Sequence, residues 1–280
     1  MCPATTGVTD AAKIMQSEES TMPHHGTYVF FDIDGTLLDH SNRLPESTRQ
    51  AVKELQANGI TTILSTGRMP TQFAWLREEL GIDSYVSANG QYVVHQGREI
   101  HASRMDPERL EAMHAFASDR GHCLAFSSDT LLCASHAAHP LLGDSFGSLQ
   151  LEYPSVDPLF YKHSPVYQAY LFCPDADGGL YAESFPEYRF YRWHALAADV
   201  MPAGGSKAVG IGKLLDVLGA SPERCYAFGD GLNDKEMLSL VGTGIAMGNA
   251  PDEVKQLADL VTGTSSQDGI RQGLKLVGLL

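Results

Sequence analysis

Phe30-Phe31-Asp32-Ile33-Asp34-Gly35-Thr36-Leu37-Leu38 is the stretch from which the fold is read. Two carboxylates, one residue apart, follow an apolar run and meet a glycine. Residues 28–31 read as a buried strand of a parallel sheet, because a strand covered on both faces needs a near-continuous apolar run. Gly35 lets the chain turn sharply where backbone N–H groups can face an anion. Open α/β sheets bind ligands at the carboxyl ends of their strands. Asp32 and Asp34 thus have the make-up of a nucleophile beside an acid/base.

Three further pieces follow in order. Residues 60–64 form a second apolar, β-branched run that ends at Ser65-Thr66-Gly67-Arg68, where the Thr66 hydroxyl could donate to a phosphate oxygen. Gly204-Gly205-Ser206-Lys207 opens a helix expected to reach residue 218 and end at Gly219. Helix starts favour acidic residues, so Lys207 in the first turn reads as a cation kept to neutralise an anion. Gly210 and Gly212 each cost that helix about 1 kcal/mol relative to alanine, so packing and ligand must hold its start. Cys225-Tyr226-Ala227-Phe228-Gly229-Asp230-Gly231-Leu232-Asn233-Asp234 is a strand that delivers more acid into a glycine turn. Asp32, Asp34, Asp230 and Asp234 form an oxygen-only set suited to Mg²⁺ rather than zinc.

The four motifs resemble, in kind and order, those of the haloacid dehalogenase-like phosphohydrolases, in particular the Cof-type branch (subfamily IIB) with a large α/β cap. Ser87-Ala88-Asn89-Gly90, Gly244-Ile245-Ala246-Met247-Gly248-Asn249-Ala250 and Asp268-Gly269-Ile270 look like the same branch. The resemblance runs from about Tyr28 to Ile270, dense in the core and thin over residues 91–198. Ala208 departs from it, standing where many members carry glycine. The resemblance implies an α/β fold, a Rossmann-like parallel-sheet core with an inserted α+β cap domain. It implies an aspartyl-phosphate formed on Asp32, with Asp34 as acid/base. Asp32, the Asp34 carbonyl, Asp230 and Asp234 would hold Mg²⁺, and Gly35, Thr66, Lys207 and Asn233 the phosphoryl group. The expected reaction is hydrolysis of small phosphomonoesters, either sugar phosphates or phosphorylated cofactors. A non-catalytic sensor of phosphorylated metabolites and a phosphoryl transferase or mutase on the same core are the alternatives. Only residues 38–45 separate the first motif from the next helix, too few for the small helical cap of the mutases, which favours hydrolysis.

The 280 residues suffice for two domains. The expected division is a flexible tail over 1–26, a core over 27–90 and 199–280, and a cap over 91–198. No apolar run reaches the length of a membrane span, and no basic-then-apolar leader opens the chain. A net charge of −14 argues against nucleic acid and anionic membranes as partners, so the pocket must be positive within a negative surface. Five scattered cysteines without CxxC spacing suggest reduced thiols and a cytoplasmic location, with Cys225 a core filler. Oligomeric state is left open.

Within 91–198, a hairpin is expected around Gly97, a helix from the Asp106 cap to about 119, and a second hairpin over 122–126 and 130–134. Later strands are expected over 166–172 and 188–194. In Tyr188-Arg189-Phe190-Tyr191-Arg192-Trp193-His194, alternation puts Arg192 and His194 on one face and Arg189 and Trp193 on the other. Hinges are expected near residues 87–90 and 202–205. His136 and His139 read as surface or loop residues.

Overall fold

A computed structural model describes residues 26–148 and 151–280, so the expected tail over 1–26 lies outside it apart from Gly26. The chain begins β1 (Tyr28–Phe31), α1 (Glu46–Ala57), β2 (Thr61–Ser65), α2 (Ala74–Leu80), β3 (Tyr85–Ser87), β4 (Tyr92–His95) and β5 (Arg98–Ala102). It continues through α3 (Pro107–Ser118), β6 (Cys123–Ser127), β7 (Leu132–Ala134), α4 (Pro140–Ser148), β8 (Ser155–Val156), α5 (Phe160–His163) and β9 (Gln168–Phe172). Next come α6 (Gly178–Ser184), β10 (Tyr188–His194), β11 (Ala197–Pro202) and α7 (Lys207–Leu218). The chain closes with β12 (Cys225–Gly229), α8 (Lys235–Leu240), β13 (Thr243–Ala246), α9 (Asp252–Lys255), β14 (Leu260–Val261) and α10 (Gly269–Leu276). The described residues up to Ile63 pack with Ala220–Leu280 as one compact unit, and Leu64–Gly219 form the other.

The first unit is a parallel sheet in the order β14-β13-β12-β1, extended by the first residues of β2. Its strands are short and apolar on both faces, as a sheet covered by helices requires. Val29, Phe30 and Phe31 are fully buried, and Phe31 stacks on Phe228 of β12 at 5.3 Å. β1 and β12 run side by side in register, Phe31 opposite Phe228, so their carboxyl ends deliver Asp32 and Asp230 to one place. All four expected strand-end motifs follow strands in the structure.

The second unit holds two sheet portions. The last residues of β2 pair in parallel with β3, after which β3, β4 and β5 run antiparallel. A separate six-stranded sheet follows the order β10-β11-β9-β6-β7-β8, antiparallel except between β7 and β8. One face of that sheet packs Leu124, Phe126, Leu171 and Val200 against Leu110 and Met113 of α3 and Tyr181 of α6. The other face packs Cys123, Ala125, Phe172 and Ala197 against Leu142 and Phe146 of α4. Both expected hairpins form, as does the helix capped by Asp106, whose carboxylate accepts from the Glu108 N–H at 2.9 Å. The fold is α/β, with a parallel-sheet core and an inserted α+β portion.

Two local expectations change. The run over 69–80, whose sequence pattern reads as one continuous helix, is interrupted: Pro70–Gln72 form a 3-10 turn, Phe73 leaves helical geometry at φ −132°, and α2 starts only at Ala74. The Gln72 side chain turns back to accept from the Met69 N–H at 2.7 Å, which stabilises the separate turn. In addition, α4, α6 and α10 form where no helix was expected from the sequence. The four described cysteines are free and buried, and burial pushes the Cys225 thiol up to about 11, as expected of a core filler. Among the described residues no helix is long and apolar enough to cross a membrane.

Candidate active site

The first unit gathers three of the four expected carboxylates. Ligand oxygens of Asp32, Asp230 and Asp234 lie within 4.8 Å of one another. Asp32 is held at the end of β1 by its N–H, which donates to the Phe228 carbonyl at 2.9 Å, and it is 5 % exposed. The chain then turns tightly, with Leu38 N–H donating to Ile33 O at 2.9 Å, and this turn leaves Asp34 exposed beside the buried Asp32. Gly35 occupies the left-handed region at φ +77°, and a Cβ there would stand 2.2 Å from Asp230 Oδ2. Glycine is therefore demanded twice, by conformation and by the closeness of a carboxylate.

Each oxygen of Asp230 has a donor. Thr36 Oγ1 donates to Oδ1 and Asn249 Nδ2 to Oδ2, both at 2.9 Å. Asn249 also donates to the Gly35 carbonyl at 2.9 Å and accepts from the Ser265 N–H at 3.0 Å, tying three loops to one carboxylate. Neither Thr36 nor Asn249 was assigned a role from sequence. Asn249 stood in a recognised stretch, but its task depends on a residue 19 positions away that only the fold brings close.

Asp234 is fully buried, and its Oδ2 accepts from the backbone N–H groups of Asp230 and Gly231 at 2.9 and 2.8 Å. It thereby braces the loop that presents Asp230. Asn233 projects from the 3-10 turn Leu232–Asp234 and is exposed. Three carboxylates this close repel one another unless a cation stands between them. The donors are hard oxygens, and the second carboxyl oxygen of Asp230 is oriented by hydrogen bonds, so the set fits a divalent cation such as Mg²⁺.

Thr66 and Lys207 belong to the second unit. Thr66 is fully buried after β2; its N–H donates to Val86 O at 2.8 Å, and its Oγ1 accepts from the Arg68 N–H at 3.0 Å. With the acceptor side used in this way, its O–H remains a donor. Lys207 is fully buried at the first position of α7, where the Ser206 hydroxyl accepts from the Val209 N–H at 3.3 Å as the cap. A buried ammonium is tolerated only where acceptors or anions match it. Gly210 explains itself here: a Cβ on it would lie 2.6 Å from the Gly90 α-carbon, so its loss of propensity goes with close packing of the helix start.

In β10 Arg189, Tyr191 and Trp193 are exposed and Phe190, Arg192 and His194 partly buried. A register shift between Arg192 and His194 sets Arg192 opposite Ala198 and His194 opposite Ala197, so these two do not share the face that strict alternation gives them, and the His194 ring meets Ser145 of α4 at 3.3 Å. Arg192 is taken up structurally, donating to Cys173 O at 2.8 Å and pairing with Asp175 at 3.2 Å. The His136 ring lies 5.7 Å from that of His114 and 5.8 Å from that of His139. Burial and the neighbouring His136 hold His114 and His139 below the usual histidine range. Among the described residues the histidines join no metal-ligand cluster.

The family model for haloacid dehalogenase-like hydrolases matches residues 29–274. The chain is 43 % identical over 252 residues to the Bacillus subtilis (strain 168) protein named "Putative phosphatase YkrA", covering 90 % of this chain and 98 % of that one. A solved protein from Geobacillus kaustophilus HTA426 superposes with a TM-score of 0.88 at 48 % identity, covering 91 % of this chain and 99 % of its own. A sugar phosphatase of subclass IIB of the superfamily superposes with a TM-score of 0.78 at 30 % identity, covering 91 % of this chain and all of that one. The resemblance drawn from the four motifs is thereby borne out, and the chain belongs to the haloacid dehalogenase-like hydrolases, on their phosphatase branch.

Proposed function

We propose that the protein hydrolyses small phosphomonoesters, sugar phosphates or phosphorylated cofactors, through an aspartyl-phosphate on Asp32, with Mg²⁺ as its metal. The observation that carries this reading is the convergence of Asp32, Asp230 and Asp234 at the ends of β1 and β12, with Asp34 exposed just beyond. Asp32 attacks phosphorus in line, the bond from phosphorus to the ester oxygen breaks, and the Asp34 carboxyl gives that oxygen its proton. Asp34, now a carboxylate, takes a proton from the water that attacks the phosphoryl group, releasing phosphate and restoring Asp32. Thr66, Lys207, Asn233 and the Gly35 N–H hold the phosphoryl oxygens. Asp32, the Asp34 carbonyl, Asp230 and Asp234, the last directly or through water, hold the Mg²⁺, which when bound neutralises charge on those oxygens. Asn249 and Thr36 keep Asp230 aimed. The inserted segment over 91–198 serves as the cap that selects the leaving group, and the core comprises 27–90 and 199–280.

The test is phosphate release from a panel of sugar phosphates, nucleotides, pyridoxal phosphate and an aryl phosphate, with Mg²⁺ and with chelator. Release that needs the metal and vanishes in Asp32→Asn, with the circular dichroism spectrum retained, supports the reading. Release undiminished in Asp32→Asn removes the nucleophile assignment, and ligand binding without release marks a sensor instead.

A further inference from the structure

The face of the six-stranded sheet that α4 covers is only half clothed in apolar side chains. Along the same face, past Phe172 and Ala197, stand Gln168 and Tyr170 of β9 and Asp199 of β11, alternate residues on neighbouring strands. Asp199 lies opposite Tyr170 on one side and Tyr191 on the other. The Trp193 and Gln168 side chains hydrogen-bond to the Asp199 carboxyl. Gln168 is 1 % exposed, and its Oε1 has no hydrogen-bond partner. Ser127 and Gln72 hydrogen-bond to the Tyr170 hydroxyl. Arg189, the cation on this side of β10, donates to the Tyr191 hydroxyl at 3.4 Å, and no ion pair joins a described lysine or arginine to Asp199.

This polar patch is linked to Thr66 within its own unit. Asn89 N–H donates to Thr66 O at 3.0 Å, and Asn89 Nδ2 donates to Met201 Sδ at 3.3 Å. Met201 is two residues beyond Asp199 on β11 and so on the same face. Gln72, which meets Tyr170, belongs to the turn that follows the Thr66 loop.

Resting on the phosphatase reading, we infer that Asp199 is a specificity residue that, with Gln168 and Trp193, receives an ammonium group on the leaving portion of the substrate, making amine-bearing phosphomonoesters the favoured class. Two acceptors side by side, one of them a carboxyl without a cationic partner, call for a ligand with several N–H donors and a positive charge. A hydroxyl brings one donor and no charge. The exposed indole of Trp193 adds a surface on which a cation can rest. Burial pushes the Asp199 carboxyl up to about 7, so its charge, and with it the preference, rises across neutral pH. The neighbours that face it are the Tyr170 and Tyr191 phenols, the Trp193 indole, the Gln168 amide and the already bonded Arg189.

The experiment compares kcat/KM of the full chain with Mg²⁺ for glucosamine 6-phosphate against glucose 6-phosphate, and for phosphoethanolamine against glycol phosphate, from pH 6 to pH 8. The expected result is a preference for the amine of about tenfold or more at pH 8, as a charge-assisted bond supplies, carried mainly by KM and shrinking toward pH 6. In Asp199→Asn the preference and its pH dependence both disappear. Each ratio is taken within one preparation, and the wild-type pH profile tests the inference even where the variant does not fold. Equal rates for amine and hydroxyl partners, or a preference that survives in Asp199→Asn, overturn the inference while 4-nitrophenyl phosphate turnover by the wild type leaves the phosphatase reading standing. No release from any ester, 4-nitrophenyl phosphate included, defeats both.

Discussion

Asp234 is expected to matter first as a brace, and its removal can be costed. In Asp234→Ala, the N–H groups of Asp230 and Gly231 lose a carboxylate acceptor at 2.9 and 2.8 Å whose residue is fully buried within a half-exposed loop. Hydrogen bonds to charged groups contribute about 1.5–3 kcal/mol each, so the pair amounts to about 3–6 kcal/mol. That is a large share of the roughly 5–15 kcal/mol by which a protein is ordinarily stable. Asp234→Asn keeps an oxygen acceptor and loses only the charge, and should cost about half as much. The assay is urea unfolding in chelator, so that metal binding does not enter. Trp75 and Trp193 both lie in the second unit, so tryptophan fluorescence reports the wrong part of the molecule; far-UV circular dichroism and exchange of the Asp230 and Gly231 amides report the right one. Asp234→Ala should expose those two amides to rapid exchange, with Asp234→Asn intermediate. Wild-type protection of both amides in Asp234→Ala would refute the bracing role.

Asn249→Ala should lower kcat about 10–100-fold, as loss of an outer-shell partner does, because Asp230 and the Gly35 carbonyl lose a shared donor; steady-state kinetics at saturating Mg²⁺ checks it. Gly90→Ala should destabilise by about 1–3 kcal/mol from its φ of +91° alone. It should also depress turnover, since the new Cβ would stand 2.0 Å from the carbonyl of Ser206, which caps the Lys207 helix; thermal melts and kinetics report the two effects. For Asp199, the folded-state value of about 7 exceeds the ordinary 3.8, so between those pH values the folded protein binds a proton that the unfolded chain releases. Stability from this group is therefore full below about pH 4 and falls as pH rises toward 7, by about 1–4 kcal/mol. Unfolding free energies of wild type and Asp199→Asn should converge at acid pH and separate toward neutrality, the variant being flatter.

The core motifs were legible because each repeats one local device, an apolar run closed by a polar residue and a glycine turn, and a parallel sheet aligns the ends of such runs. Asp32, Asp230 and Asp234 follow from that device directly. Thr36 and Asn249 do not, since a threonine and an asparagine in turns are commonplace until the fold sets them on either side of one carboxylate. The inserted portion was only partly legible. Its hairpins carry alternation and turn residues, whereas α4 is apolar with glycines at 143 and 147, and α6 begins with Gly178-Gly179. Packing against the sheet, rather than propensity, makes those helices. The Asp199 patch was invisible because Gln168 and Tyr170 lie on β9 and Asp199 on β11, and the sequence does not state the register between those strands.

The close approaches at Gly90, Gly205 and Gly210 join the two places where the chain enters and leaves the segment over 91–198. A side chain on Gly205 would collide with the Gln91 amide, just as one on Gly90 would meet Ser206. The outgoing and returning stretches of chain thus lie against each other at these glycines. A side chain at Gly90 would press on the Ser206 carbonyl at the root of α7, so the glycine leaves that carbonyl, and the helix start at Lys207, in place.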